Sequence, residues 1–192
     1  KENKFKIDEK LSLSDYKYQV LLKFAKKIKF KYSDIPSREY LEQLLPCFPK
    51  PMLFLGWAKY TKDYTKICDM VTVDYNKQVN PDIVADITTQ DFVKQVKAKH
   101  NSYKTVVING VIGWGVNEPK QIHDALKNCK SVMSNGGWVF FGYNEAPFEG
   151  EDENTTIKKA TMTKYLKKYF KDVKLLNSFD DEWQQRYFVC RK

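Results

Sequence analysis

Near the middle of this chain an acidic residue follows a glycine by eighteen positions. Gly56 closes the apolar run "MLFLG", and Asp74 stands inside "MVTVDYN". At that separation a carboxylate beyond a second strand can accept hydrogen bonds from both hydroxyls of a ribose, while the glycine turns the chain beside the ligand. Further along, "DIVADIT" offers Asp86 and Ile87, a polar and apolar pair suited to an adenine amino group and ring face. "NGVIGWG", Asn109 to Gly115, adds three glycines whose missing Cβ atoms let backbone approach a ligand closely. Together these residues describe one pocket for an adenine nucleoside. Taken alone, Asp74 reads as turn chemistry at a strand end; the matching offsets of Asp86 and the glycine loop favour the ligand role.

Such residues need strands that deliver them to one edge. The spacing of Val20, Leu21, Phe24, Ala25 and Ile28 predicts a first helix behind Ser14, a candidate cap. A second, "SREYLEQLL", starts at Ser37 after Pro36, carries Tyr40, Leu41, Leu44 and Leu45 on one side and stops at Pro46. Short apolar runs then read as buried strands at "MLFLG", "MVTVDYN", "DIVADIT", "TVVING" and "WVFFGY". Helices are expected from Thr89, with Phe92, Val93 and Val96 inward, and from Asn117 and Pro119, with Ile122, Ala125, Leu126, Cys129, Val132 and Met133 on one face and "SNGG" as its end. A helix from about Thr155 to Phe170 follows the acidic loop "NEAPFEGEDEN". The runs "DVKLLNSF" and "RYFVCRK" leave no room for a crossover helix and must pair antiparallel. Alternating strands and helices imply an α/β fold with a parallel sheet covered on both faces.

In this order, strand, loop, "VDYN", "DIVADIT", "VVINGVIGWGVNE" and "LKNCKSVMSNGGWVFFGYNE", the chain resembles the class I S-adenosylmethionine-dependent methyltransferases over roughly residues 50 to 192. The resemblance implies a Rossmann-like fold: a mostly parallel seven-stranded sheet with an antiparallel last strand and helices on both faces. It implies a single domain, with residues 1–49 as a helical cap over the substrate and 50–192 as the cofactor-binding core. It also implies S-adenosylmethionine as cofactor, with Gly56, Trp57, Tyr60, Thr61, Asp74, Tyr75, Asp86, Ile87, Asn109, Gly110, Val111 and Trp114 around it. The chain departs from the family at the first loop. The usual Asp before the loop glycine is Phe54 or Leu55, and "WAKYT" replaces the glycine-rich turn. Tyr60 and Thr61 are therefore expected to supply hydroxyl hydrogen bonds to the amino-acid end. Trp57 and Trp114 either pack on the adenine, cap a substrate pocket or are ordinary core.

The "YT" after the first strand and "NGVIGWG" after the fourth resemble a subgroup associated with surface-glycan synthesis. That implies an O-methyltransferase acting on a sugar hydroxyl of a glycan or activated sugar. It also fits a domain of a larger polypeptide; a chain beginning at Lys1 agrees with that and equally with a processed or trimmed chain. Aromatic residues, 15% of the chain, could stack on sugar faces. A hydroxyl acceptor needs a base or a metal; Glu145, just after the fifth strand, and His123, beside the inward stripe of its helix, are the candidate bases, and no metal ligands are expected. The competing readings are an exposed carboxylate in an acidic loop and a structural histidine. Asp180, Asp181 and Glu182 read as a solvated turn, and His100 as a loop residue.

The bulk properties narrow the alternatives. At 192 residues and 42% hydrophobic, one full-sized core is expected, and no apolar run approaches the roughly 20 residues that span a bilayer. Cys47, Cys68, Cys129 and Cys190 form no CxxC pair and read as buried free thiols in a reducing, cytoplasmic compartment. The net charge of +9 concentrates in "KFAKKIKFK" and "KKATMTKYLKKYFK", which read as solvated helix faces rather than a nucleic-acid footprint. Two other functions stay open: a catalytically silent domain that lost its cofactor, and an RNA methyltransferase. "NGVI" stands where an amino-methylating nucleic-acid enzyme carries "NPPY" or "DPPY".

Overall fold

The computed structural model describes residues 13–30, 35–145, 156–180 and 183–192. The Ser14 side chain, the acidic loop after Glu145, and Asp181 and Glu182 lie outside the described residues.

Five strands run parallel: β1 (Met52–Leu55), β2 (Val71–Asp74), β3 (Ile83–Val84), β4 (Tyr103–Asn109) and β5 (Met133–Asn144). The closing strands β6 (Lys171–Ser178) and β7 (Gln185–Arg191) pair antiparallel, and β7 inserts antiparallel beside β5. The sheet order is β3-β2-β1-β4-β5-β7-β6, so strand order reverses between β1 and β4. Helices α1 (Leu13–Ala25), α2 (Pro36–Leu44), α3 (Tyr64–Ile67), α4 (Gln90–Lys99), α5 (Pro119–Val132) and α6 (Lys159–Tyr169) cover both faces.

Alternation along each strand explains the two cores. In β1, Leu53 and Leu55 face the side packed by α4, α5 and α6, where Phe92, Leu126 and Leu166 are buried. Met52 and Phe54 face the side covered by α1, α2 and α3, among Leu21, Leu41, Tyr64 and Trp57. Both faces being buried, the strands read as continuous apolar runs rather than alternating ones. The first two helices thus cover a sheet face, and α2 reaches the carboxyl edge with its first turn.

Several local expectations change. The buried stripe of α1 is Tyr18, Leu21 and Ala25, while Val20 and Phe24 are exposed. Tyr18 decides this rotation: its ring packs edge-on against Trp138 at 5.3 Å, and its hydroxyl donates to the Asp172 carbonyl. Pro46 does not end the chain's helical course but sits in a 3-10 turn, Leu45–Cys47, that extends α2. "SNGG" belongs to β5, where an irregularity shifts the register from Met133 opposite Tyr103 to Trp138 opposite Thr105, and Gly136 takes φ +68°. β3 is only two residues long; Asp82 braces it, accepting from the Thr72 amide at 2.8 Å and hydroxyl at 2.9 Å. Cys68, Cys129 and Cys190 are buried and free, whereas Cys47 is free but exposed, on the outer side of the 3-10 turn. Lys23, Lys164, Lys167 and Lys168 are exposed on their helices, as solvated faces require, and Lys26 and Lys27 are exposed in the turn just past the end of α1.

Candidate active site

The reversal of strand order leaves a crevice beyond the carboxyl ends of β1 and β4. Gly56 makes the two ends fit. It adopts φ +86°, and a Cβ there would lie 2.0 Å from the Asn109 carbonyl oxygen and 2.9 Å from Val111 Cγ2. Only a residue without a side chain lets the β1 loop pass so close to the end of β4.

A cavity of about 330 Å³ opens at this point, and its polar wall includes Asp74 and Asp86. Gly56, Tyr75, Ile87, Gly110, Val111 and Trp114 also line it. Asp74 Oδ1 accepts from the Asn76 amide at 2.8 Å, which aims the carboxylate. Burial raises this carboxyl above its ordinary value, and the amides of Asn76 and Tyr75 offset only part of that rise. Asp86 is exposed and is oriented by the Thr88 amide at 2.9 Å and hydroxyl at 2.8 Å. The apolar walls, Leu55, Val73, Ala85 and Val116, are residues whose role the spacing of motifs could not reveal. Leu55, Val73 and Ala85 stand at or beside strand ends, which any buried strand fills with such side chains, and Val116 lies in the loop after β4.

A second cavity of about 210 Å³ adjoins the first, because Trp114 lines both. Tyr60 and Asn109 enter it, together with Arg38 from the first turn of α2, Asn144 at the end of β5, and Gln185 and Tyr187 from β7. Trp114 and Trp183 stack at its mouth with centroids 6.3 Å apart and planes 27° from parallel. Trp114 Nε1 donates to Asn144 Oδ1 at 3.0 Å, and the Asn144 amide donates to Gln185 Oε1 at 2.9 Å. Tyr60 is half exposed, yet its hydroxyl is tucked against Gly110, 3.8 Å from where a Cβ would stand. Desolvation there raises the phenol, and the nearby Arg38 charge opposes the rise. Arg38, Gln185 and Tyr187 carry no motif; they meet Asn109 only because β7 lies beside β5 and α2 folds back over the sheet.

Four of the expected site residues stand elsewhere. Trp57 is buried edge-on against Phe54 at 5.9 Å and lines neither cavity, because the loop after Gly56 turns it into the core beneath α2 and α3. Thr61 is fully buried; its hydroxyl accepts from the Ala58 amide at 2.9 Å and donates to the Ala58 carbonyl at 2.8 Å, closing a 3-10 turn, Lys59–Thr61. His123 points to the α5–α6 interface, with Nδ1 2.8 Å from the Tyr169 hydroxyl and its ring 5.1 Å from Tyr165. Glu145 is engaged as an ion-pair partner: it accepts from Arg186 Nε and from the Lys159 amide, both at 2.8 Å. Burial alone would raise this carboxyl, but the Lys159 amide and the Arg186 guanidinium together hold it below the usual range. Neither His123 nor Glu145 lines either cavity. Among the described residues no group of histidine, cysteine or carboxylate side chains could hold a metal ion.

No protein-family model matches this chain, and none of the curated proteins does. Solved structures do match. N-methyltransferase NodS from Bradyrhizobium japonicum WM9, in complex with S-adenosyl-L-homocysteine, superposes with a TM-score of 0.59 at 13% identity, covering 93% of this chain and 99% of that one. A SAM-dependent methyltransferase from Archaeoglobus fulgidus gives 0.56 at 15%, over 81% and 94% of the two chains. The CurJ carbon methyltransferase gives 0.55 at 13%, over 83% and 56%. The fold is that of the class I S-adenosylmethionine-dependent methyltransferases. The seven-stranded sheet and its antiparallel closing strand agree with what the resemblance of the motifs implied. Among the described residues no helix is long and apolar enough to cross a membrane.

Proposed function

We propose that this protein is an S-adenosylmethionine-dependent methyltransferase. One observation carries the reading: at the strand-order reversal of this fold, the larger cavity has Asp74, Asp86 and the Gly56 crossing in its wall. The donor set suits the nucleoside. Asp74 accepts from the ribose hydroxyls, Asp86 accepts from the adenine amino group, and Ile87 and Val111 lie against the ring. When bound, the cofactor supplies an electrophilic methyl group on a sulfonium. The chain's own task is then to align and dehydrate the acceptor, work that needs no covalent help from a side chain.

The acceptor reaches the methyl group past the aromatic mouth of the second cavity, at Trp114 and Trp183. A sugar hydroxyl is supported by the Trp114–Trp183 stack, an aromatic surface at the mouth. One observation favours an amine instead: among the described residues of that cavity there is no histidine, aspartate or glutamate to take a hydroxyl proton. A neutral amine attacks without such a base.

Calorimetric titration with S-adenosylhomocysteine tests the proposal without knowledge of the acceptor. Micromolar binding, weakened in Asp74→Ala, is the expected result. No binding at millimolar ligand would replace it with the cofactor-free, silent-domain reading. Incubation with radiolabelled cofactor and sugar or amine acceptors then separates the two acceptor classes.

A further inference from the structure

Resting on that reading, we propose that the second cavity is an α-amino-carboxylate site, in which Arg38 holds the carboxylate of the cofactor's amino-acid end. The glycine-poor loop raises the question of what replaces its backbone donors. Thr61 does not, since it is fully buried and its one hydroxyl proton is donated to the Ala58 carbonyl.

Three observations point to Arg38 and its neighbours instead. First, the half-buried Arg38 forms no ion pair with any described carboxylate, while its guanidinium carbon lies 4.6 Å from the centroid of the Tyr60 ring. A guanidinium held over an aromatic ring by its charge spends no N–H group on that contact, and its N–H groups can grip a carboxylate in bidentate fashion. Second, two polar atoms in this cavity are buried without a hydrogen-bond partner: Asn109 Oδ1, an acceptor, and Gln185 Nε2, a donor. Their residues are only 9% and 8% exposed. Both atoms crowd the bare backbone of Gly142, where a Cβ would stand 2.4 Å from the first and 3.0 Å from the second. A buried acceptor and a buried donor left in one cavity with a cation are the complement of a zwitterion: Asn109 Oδ1 for the ammonium, Gln185 Nε2 and Arg38 for the carboxylate. Third, the cavity continues the nucleoside cavity, since Trp114 lines both and Asn109 and Gly110 are consecutive. A single ligand can therefore place its adenosine in one and its amino acid in the other.

The test compares two ligands that differ only in that end. S-adenosylhomocysteine carries the amino acid, and 5′-methylthioadenosine lacks it. Both are titrated into the wild-type protein, Arg38→Gln and Arg38→Lys. Loss of one charge-assisted pair predicts that Arg38→Gln weakens S-adenosylhomocysteine roughly tenfold or more while leaving 5′-methylthioadenosine unchanged, with Arg38→Lys intermediate. The proposal is overturned if the variant weakens both ligands equally, or neither. If the wild-type protein binds 5′-methylthioadenosine but gains nothing from the amino-acid end, the nucleoside reading stands and the carboxylate site falls. If it binds neither ligand, both fall.

Discussion

Replacing Gly56 by alanine should damage folding and ligand binding together, and the structure sets the size of the effect. The residue holds φ +86°, where an L side chain costs about 1–2 kcal/mol. The new methyl group would also meet the Asn109 carbonyl at 2.0 Å. That carbonyl cannot retreat, because Asn109 is paired in register with Gly142, which itself has no room for a side chain. Overpacking of this kind adds about 1–3 kcal/mol. The sum, roughly 2–5 kcal/mol, corresponds to a fall in melting temperature of about 4–20 °C for a chain of this size. Gly136→Ala is the control. It shares the left-handed backbone at φ +68°, but its Cβ would meet nothing within 4 Å. Any stiffening of the unfolded chain, roughly 0.4–1 kcal/mol, is common to both variants. Scanning calorimetry should therefore place Gly56→Ala about 2–12 °C below Gly136→Ala. Titration should show weakened S-adenosylhomocysteine binding in the first variant alone. If the two variants melt within about 2 °C of each other, the contact between the ends of β1 and β4 does not have the consequence assigned to it.

Two further tests address the carboxylates. Burial lifts the Asp74 carboxyl above its ordinary 3.8, and only the ionised form accepts from both ribose hydroxyls. S-adenosylhomocysteine affinity should thus decline on acidification through that raised value, and Asp74→Asn should bind weakly with no such decline; an equal pH slope in both proteins would remove Asp74 from the ribose. Glu145→Gln leaves Arg186, whose side chain is 8% exposed, with the Phe179 and Gln185 carbonyls and the largely solvated Asp180 as its partners among the described residues. Breaking such a pair costs about 3–5 kcal/mol. Because the Glu145 carboxyl is held low in the folded protein, its contribution is present above its unfolded value near 4.5 and is lost as pH falls through the folded one. Denaturant titrations should show that acid-dependent loss in the wild-type protein and not in the variant; equal stability at neutral pH would return Glu145 to the list of free bases.

How much could be read without the structure depended on how local the signal was. Strand identity at Met52–Leu55 and Tyr103–Asn109 was legible because a strand buried on both faces leaves an unbroken apolar run. The same loss of alternation concealed which residues face which core. Periodicity does not single out the buried face of α1, because its apolar residues outnumber its buried ones and a tyrosine, Tyr18, amphipathic by chemistry, joins Leu21 and Ala25 in the core. Place in the chain points Thr61, and one of the readings of Trp57, at the ligand, yet the Ala58 hydrogen bonds turn Thr61 inward and packing on Phe54 buries Trp57.

By itself, the sequence determined the wall of the larger cavity, where the proposed function seats a nucleoside. Gly56, Asp74, Asp86, Ile87, Gly110 and Val111 are consecutive offerings of parallel strand ends, and strand spacing alone carries them to one edge. The second cavity was decided by tertiary structure. Arg38, Asn109 and Gln185 are distant in the chain, and no periodicity links a helix start, the end of β4 and the start of β7. They meet only because β7 inserts beside β5 and α2 packs over the sheet face, and those placements follow from burying apolar surface, not from any spacing between the polar residues themselves.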